Sequence, residues 1–255
     1  MHDRRSALQR LAAIAAALAL PAPAFSKTRT RKPPRLRAGD TIGLVEPASL
    51  VADEFDLALV KEAIVAMGLV PKVAPNLLAR HGYLAGTDEQ RAADLNGMFA
   101  DDDVRAIFAV RGGWGSARVL PHLRWDAIRA NPKLLVGFSD ITALHLAIAA
   151  RAGFTTIHGP NAGSGWGELS LNSFRSIAFE GGTPLYETPA GTESRLVQRN
   201  GRIRTFRAGK ASGPLIGGNL TVLSAMVGTP CFRASTERSY SSKIRMKPNT
   251  ASTGC

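Results

Sequence analysis

The stretch with the clearest chemical potential is Val136-Gly137-Phe138-Ser139-Asp140-Ile141-Thr142. An apolar run enters a helical pattern with serine at the bend and glycine two residues before it. A serine on a tight strand-to-helix turn is exposed, and the N–H groups of the helix start favour any oxyanion that develops there. That arrangement suits a nucleophile, although Ile141 stands where G-x-S-x-G has its last glycine. A plainer reading stays open, in which Ser139 or Asp140 simply caps the helix. Upstream, Arg111-Gly112-Gly113-Trp114-Gly115 ends another apolar run. Glycines there allow close backbone approach, so Gly112 and Gly113 with the Asp140 N–H can form an oxyanion hole; a turn needing positive φ would use the same glycines. The third glycine of G-x-G-x-x-G is absent, which excludes that dinucleotide motif. Three histidines are candidate bases. His145 lies on an apolar helix face and reads as core, His158 precedes Gly159-Pro160-Asn161 and can line the site, and His81 lies in a glycine-bounded loop. None has an evident carboxylate orienter, and no metal-ligand spacing links them.

These residues need a scaffold that delivers them to one edge. Strand patterns fall at 41–45, 69–74, 104–110 and 134–138, with a short one before His158. Helical patterns fall at 53–67, 87–99, 116–123 and 142–152. Thr87 with Gln90 three residues on forms a capping box. The βαβα rhythm predicts an α/β fold, a parallel sheet with helices on both faces over 39–160. Reactive groups in such sheets gather at the C-terminal strand ends. Residues 161–198 read as an interdomain connection with one helix at 170–180. A hairpin at 199–213, turning at Asn200-Gly201, opens a smaller, incomplete β-rich C-terminal domain over 199–230. A last helix follows Gly217-Gly218-Asn219-Leu220 and ends at Gly228.

The 255 residues are 45% apolar and 20% charged, enough for a real core. The formal charge of +12 resides at the ends: +8 in residues 1–37, 0 in 38–230 and +4 in 231–255. A neutral folded body argues against a nucleic-acid footprint. Arg4, Arg5 and Arg10, an apolar run from Leu11 to Leu20 and Ala22-Pro23-Ala24 form the three regions of a signal peptide, residues 1–24. The apolar run is too short for a stable membrane span. A basic linker occupies 25–38. The expected location is therefore exported, periplasmic or cell-envelope; Arg4-Arg5 leaves the twin-arginine route open beside the general one.

Six motifs in order carry a family resemblance: Arg37-Ala38-Gly39-Asp40; Tyr83-Leu84-Ala85-Gly86-Thr87 with Arg91 and Asp94-Leu95-Asn96; Arg111 to Gly115; Gly137 to Thr142; His158-Gly159-Pro160; and Gly217 to Leu220 with Gly228-Thr229-Pro230. Over residues 38–230 the chain resembles the LD-carboxypeptidases (muramoyltetrapeptide carboxypeptidases), a family that includes the microcin-immunity serine peptidases. The resemblance implies a Ser-His-Glu serine peptidase that cleaves the L–D amide holding the terminal D-amino acid of murein tetrapeptide. It implies Ser139 as nucleophile and Gly112, Gly113 and the Asp140 N–H as oxyanion hole. Arg111, Trp114 and His158 complete the expected site as substrate-binding residues. It implies no cofactor and no metal, a murein tetrapeptide or related L,D-peptide as partner, and homodimeric pairing.

One departure matters. The family's triad Glu follows Gly-Thr-Pro in a strand resembling I-L-F-L-E-D, with the triad His further on. After Pro230 this chain reads CFRASTERSYSSKIRMKPNTASTGC, without apolar period and suddenly basic. Suitable codons for that tail, read one frame over, spell ILFLED, with the Glu where Lys243 is written. The expectation is a frameshifted or truncated tail over 231–255, lacking the Glu and His, and little turnover in the chain as written. A murein-peptide binding protein without catalysis and a microcin-immunity-type peptidase are the alternatives. A chain that does not fold stably is a third.

Overall fold

The computed structural model describes residues 31–186, 205, 209 and 215–232. The chain divides into two compact units, Met1–Thr30 and Arg31–Cys255, and the described residues belong to the second. The signal peptide, nearly all of the 199–213 hairpin and the tail beyond 232 lie outside them.

Short apolar runs, rich in Val, Ile and Leu, make strands β1 (Thr41–Val45), β2 (Val70–Val73), β3 (Val104–Ala109), β4 (Leu134–Gly137) and β5 (Ile157–His158). They form one parallel sheet in the order β2-β1-β3-β4-β5. Ile42, Leu44, Ile107, Phe108, Leu135 and Val136 are fully buried, as a sheet covered on both faces requires. Each such side chain contributes about 1.5–3 kcal/mol of burial. This is the expected α/β architecture.

The helices are α1 (Glu54–Ala66), α2 (Asp88–Ala100), α3 (Ser116–Val119), α4 (Trp125–Ala130), α5 (Thr142–Ala147), α6 (Glu168–Arg175) and α7 (Leu220–Met226). Asp53 caps α1 through the Asp56 N–H. Thr87 and Gln90 form the expected capping box of α2, at 3.3 and 2.9 Å. Right-handed crossovers place α1 on one face and α2 to α5 on the other. Side chains agree: a Cβ at Gly43 would meet Met98 of α2. Phe108, one step out of phase with Gly43 across the β1–β3 pairing, instead meets Trp166 and Phe174 of α6 at 6.2 and 5.5 Å.

Three details differ from the sequence pattern. The single helix expected over 116–123 is the short α3 followed by a 3₁₀ turn, Leu120–His122, containing Pro121. The pattern missed α4 altogether; its helix has one buried residue, Ile128, too few to print a periodicity. The helix expected over 142–152 is α5, widening to a π turn over Ile148–Ala152. Among the described residues no helix is long and apolar enough to cross a membrane.

Strand order reverses beside β1, because β2 lies to one side of it and β3 to the other. The loops leaving β1 and β3 therefore part, and the crevice between them is where ligands bind in open α/β sheets.

Candidate active site

Gly137 ends β4, and the chain turns at once into a 3₁₀ turn, Ser139–Ile141, that runs into α5. Ser139 has φ 62°, the one non-glycine residue with positive φ among the described residues. A serine there costs on the order of 1 kcal/mol, and such strain gathers at functional sites. Gly137 permits the bend: a Cβ there would lie 2.9 Å from Asn161 Oδ1 and 3.0 Å from Ile141. The strand stops at Gly137 rather than Phe138 because the Phe138 N–H donates to Asn161 Oδ1 at 3.0 Å, out of the ladder. Neither Ser139 nor Asp140 caps the helix that follows it with its side chain. The Asp140 carboxylate instead accepts from the Ser116 N–H at 2.7 Å, and the Asp140 carbonyl accepts from Ser116 Oγ at 2.5 Å. These two bonds pin the start of α3 to the serine turn.

Gly112 packs directly on that turn. A Cβ there would lie 3.3 Å from the Phe138 carbonyl oxygen and 3.3 Å from Ser139 Cβ. Gly113 has φ 108°, and its missing side chain makes room for Ser49 from the β1 loop. Ser49 N–H donates to the Gly112 carbonyl at 3.1 Å, and Ser49 Oγ accepts from the Trp114 N–H at 3.4 Å. Among the described residues the N–H groups of Gly112, Gly113 and Asp140 have no backbone acceptor. Free donors beside a serine are what an oxyanion needs.

A groove of about 670 Å³ runs over this edge. Arg111, Gly112, Gly113, Ser139 and Asn161 line its polar side, and Val51, Leu59, Val60 and Ala63 its apolar side. Arg111 Nη1 donates to the Leu50 carbonyl at 3.1 Å. Beneath it lies Glu46, 2% exposed, whose Oε2 accepts from the Val51 N–H at 2.7 Å while Oε1 has no partner among the described residues. Burial pushes its pKa up to about 8, against that hydrogen bond and the positive charge of Arg111. Burial therefore favours the neutral form of Glu46.

The structure brings Ser139, Gly112, Gly113, Asp140 and Arg111 together. Trp114 and His158 lie outside the residues that line the groove. Trp114 is 60% exposed and tilts against Tyr83 at 6.1 Å. His158 is exposed, with its ring 5.7 Å from His145. His145 is the core residue its apolar helix face predicts. Nδ1 meets Thr156 Oγ1 at 2.8 Å and Nε2 meets the Gly137 carbonyl at 2.9 Å. A carbonyl can only accept, so Nε2 carries the proton. Burial pushes its pKa down to about 4. Among the described residues no imidazole or carboxylate hydrogen-bonds Ser139, and no group of His, Cys, Asp and Glu is placed to hold a metal ion.

Four residues were given no role in the site by the sequence, although Arg91 and Asn161 stand in its motifs. Asn161 follows the His-Gly-Pro motif, but no spacing rule marks it as belonging to the serine turn. Arg91, fully buried, donates from Nη1 to the carbonyls of Pro47 and Gly115, tying the loops after β1 and β3 together. Ser49 and Glu46 sit in a loop whose sequence carries no site pattern.

Residues 42–159 match the family described as LD-carboxypeptidase N-terminal domain. The chain is 36% identical over 200 residues to a probable murein peptide carboxypeptidase of Bacillus subtilis, covering 78% of this chain and 60% of that protein. It is 37% identical over 191 residues to the murein tetrapeptide carboxypeptidase of Pseudomonas aeruginosa, covering 74% and 60%. Its fold superposes on the crystal structure of an MccF-like protein from Bacillus anthracis at a TM-score of 0.68, with 27% identity, covering 80% of this chain and 67% of that one. The chain thus spans about 60% of the length of these curated relatives.

Proposed function

The chain belongs to the LD-carboxypeptidase family, and on that premise we propose that it is built as a serine peptidase for murein tetrapeptide. The observation that carries this reading is Ser139 at positive φ on the β4–α5 turn, packed against Gly112. In the proposed reaction Ser139 Oγ attacks the carbonyl carbon of the L–D amide and its proton passes to a base. The carbonyl oxygen becomes an oxyanion met by the N–H groups of Gly112, Gly113 and Asp140. Collapse of the tetrahedral species breaks the C–N bond, and the protonated D-amino acid leaves. Water then hydrolyses the acyl-serine and frees Ser139. Arg111 holds a carboxylate of the substrate at the groove wall, and export through residues 1–24 brings the chain to murein.

Turnover by the 255-residue form is proposed to be low. His145 is committed to Gly137 and Thr156, and no other described histidine hydrogen-bonds Ser139. A serine at its ordinary pKa without a base is a weak nucleophile. This favours peptide binding without turnover as the second reading. D-alanine release and equilibrium binding, measured on murein tetrapeptide with the natural chain and its Ser139→Ala variant, separate the possibilities. Binding without release supports low turnover. Ser139-dependent release establishes the peptidase and overturns low turnover. Neither binding nor release overturns the murein reading. Resequencing from about codon 225 tests the tail: a single-base change that restores I-L-F-L-E-D would supply the Glu that the family resemblance implies.

A further inference from the structure

Asn161 is 4% exposed and lines the groove beside Ser139. Its Oδ1 accepts from the Phe138 N–H at 3.0 Å. That bond decides which end of the carboxamide is oxygen, so Nδ2 takes the other side. A Cβ on Gly112 would lie 3.4 Å from this Nδ2 and 3.3 Å from Ser139 Cβ. A side chain at Gly112 would crowd both, so the glycine keeps this corner of the groove uncovered. The amide donor, Ser139 and the Phe138 carbonyl oxygen surround that corner. Among the described residues nothing accepts a hydrogen bond from Nδ2.

The carboxamide is also held still. The chain just after it is anchored by the Ala162 N–H to Ala109 carbonyl bond at 2.9 Å and the Gly163 N–H to Val110 carbonyl bond at 3.0 Å. Gly137 approaches Oδ1 so closely that any side chain would collide with it. A donor fixed before binding loses little freedom when a ligand arrives.

We propose that Asn161 is a further substrate-contacting residue, whose Nδ2–H donates at the groove wall to the oxygen of the carbonyl group facing Ser139. This deepens the peptidase reading and rests on it for the identity of the substrate. The donor is neutral and planar, which suits a carbonyl oxygen and adds to the backbone N–H groups as that oxygen gains charge.

The test uses the full chain labelled with nitrogen-15, its Asn161→Asp and Asn161→Ala variants, and two probes. Asn161→Asp keeps an acceptor for the Phe138 N–H and removes the donor. Murein tetrapeptide should bind both variants roughly three- to tenfold more weakly than the natural chain. The side-chain amide resonance of Asn161, identified by its loss in Asn161→Asp, should move on saturation with peptide. Equal affinities with an unmoved amide resonance would show that Asn161 only holds the turn, and would overturn the proposal. The second probe, diisopropyl fluorophosphate, forms a Ser139 Oγ–P bond as fluoride leaves and the serine proton goes to solvent. It places a phosphoryl oxygen beside Ser139 whatever the natural substrate is. An amide that moves in this adduct, in a chain that binds no tetrapeptide, supports Asn161 and sinks the murein reading. An amide that moves with neither probe sinks the Asn161 role. A chain that binds no peptide, and whose Asn161 amide moves with neither probe, overturns both.

Discussion

Ser139 holds a left-handed backbone conformation at a residue type that rarely adopts it, and glycine would hold it without cost. Replacing Ser139 by glycine relieves about 1 kcal/mol of strain but frees the unfolded chain, so the fold should gain no more than about 0.5 kcal/mol while losing the hydroxyl. Urea unfolding checks the gain, and loss of fluorophosphate labelling checks the chemistry. A gain with labelling retained would place the reactive hydroxyl elsewhere. Gly112→Ala tests the opposite wall. Its Cβ would meet Ser139 Cβ and the Phe138 carbonyl at 3.3 Å, so the turn must yield by a few tenths of an ångström. Tetrapeptide affinity should fall about tenfold, with a stability loss of about 1 kcal/mol or less. At this scale the sequence displayed Ser139 and the two glycines, because a strand, a bend and a helix in succession leave a readable pattern. Asn161 carried no such mark. It lies 22 residues past Ser139 in the chain, and only the β4–β5 pairing folds it back.

The loops after β1 and β3 are not joined by the sheet; besides the hydrogen bonds of Ser49 and Arg111, one fully buried side chain bridges them. Arg91 of α2 reaches the carbonyls of Pro47 and Gly115 and also pairs with Asp88. Replacing it by leucine strands the buried Pro47 carbonyl, leaves the Gly115 carbonyl only the Arg118 N–H and breaks that pairing, so unfolding free energy should drop by roughly 3 kcal/mol. Arg118 pairs with the same Asp88 at 2.9 Å but is half-exposed. Solvent screens that pair, and Arg118→Ala should change stability by less than about 1 kcal/mol. Chemical denaturation of the two variants side by side checks the contrast, and equal losses would refute the bridging role. The elements themselves were largely legible. α1, α2 and the five strands follow from apolar periodicity, caps and glycine stops. α4 was not, because a helix of 6 residues with one buried position has no period to detect.

For the molecule as a whole, two buried groups set a pH profile of stability. Glu46 has its pKa raised from 4.5 to about 8 when folded, so its contribution is complete below pH 4.5 and is lost as pH rises towards 8. His145 has its pKa lowered from 6.5 to about 4, so its contribution is complete above pH 6.5 and is lost as pH falls towards 4. Between pH 4.5 and 6.5 the two slopes oppose one another. As far as these two groups go, stability is flat there and falls between pH 6.5 and 8, by a few kcal/mol at most. Glu46→Gln keeps the shape, removes the charge and should flatten the alkaline limb. Thermal melts across pH 4–9 check this, and an unchanged alkaline limb in the variant would remove Glu46 as its source.

The sequence by itself determined the parallel α/β scaffold, the serine at its β4–α5 bend, the glycines that face it and the family to which the chain belongs. These are local properties, written in periodicity, caps and turn residues that lie close together in the chain. It did not determine which polar groups share the site. Strand order alone sets the reversal beside β1, brings Asn161 against Phe138 and Gly112, seats Ser49 in the space at Gly113, and buries Glu46 beneath Arg111. The same packing commits His145 to the Gly137 carbonyl and turns Trp114 out towards Tyr83. Such choices belong to tertiary structure, because they depend on contacts between residues that no spacing in the chain connects.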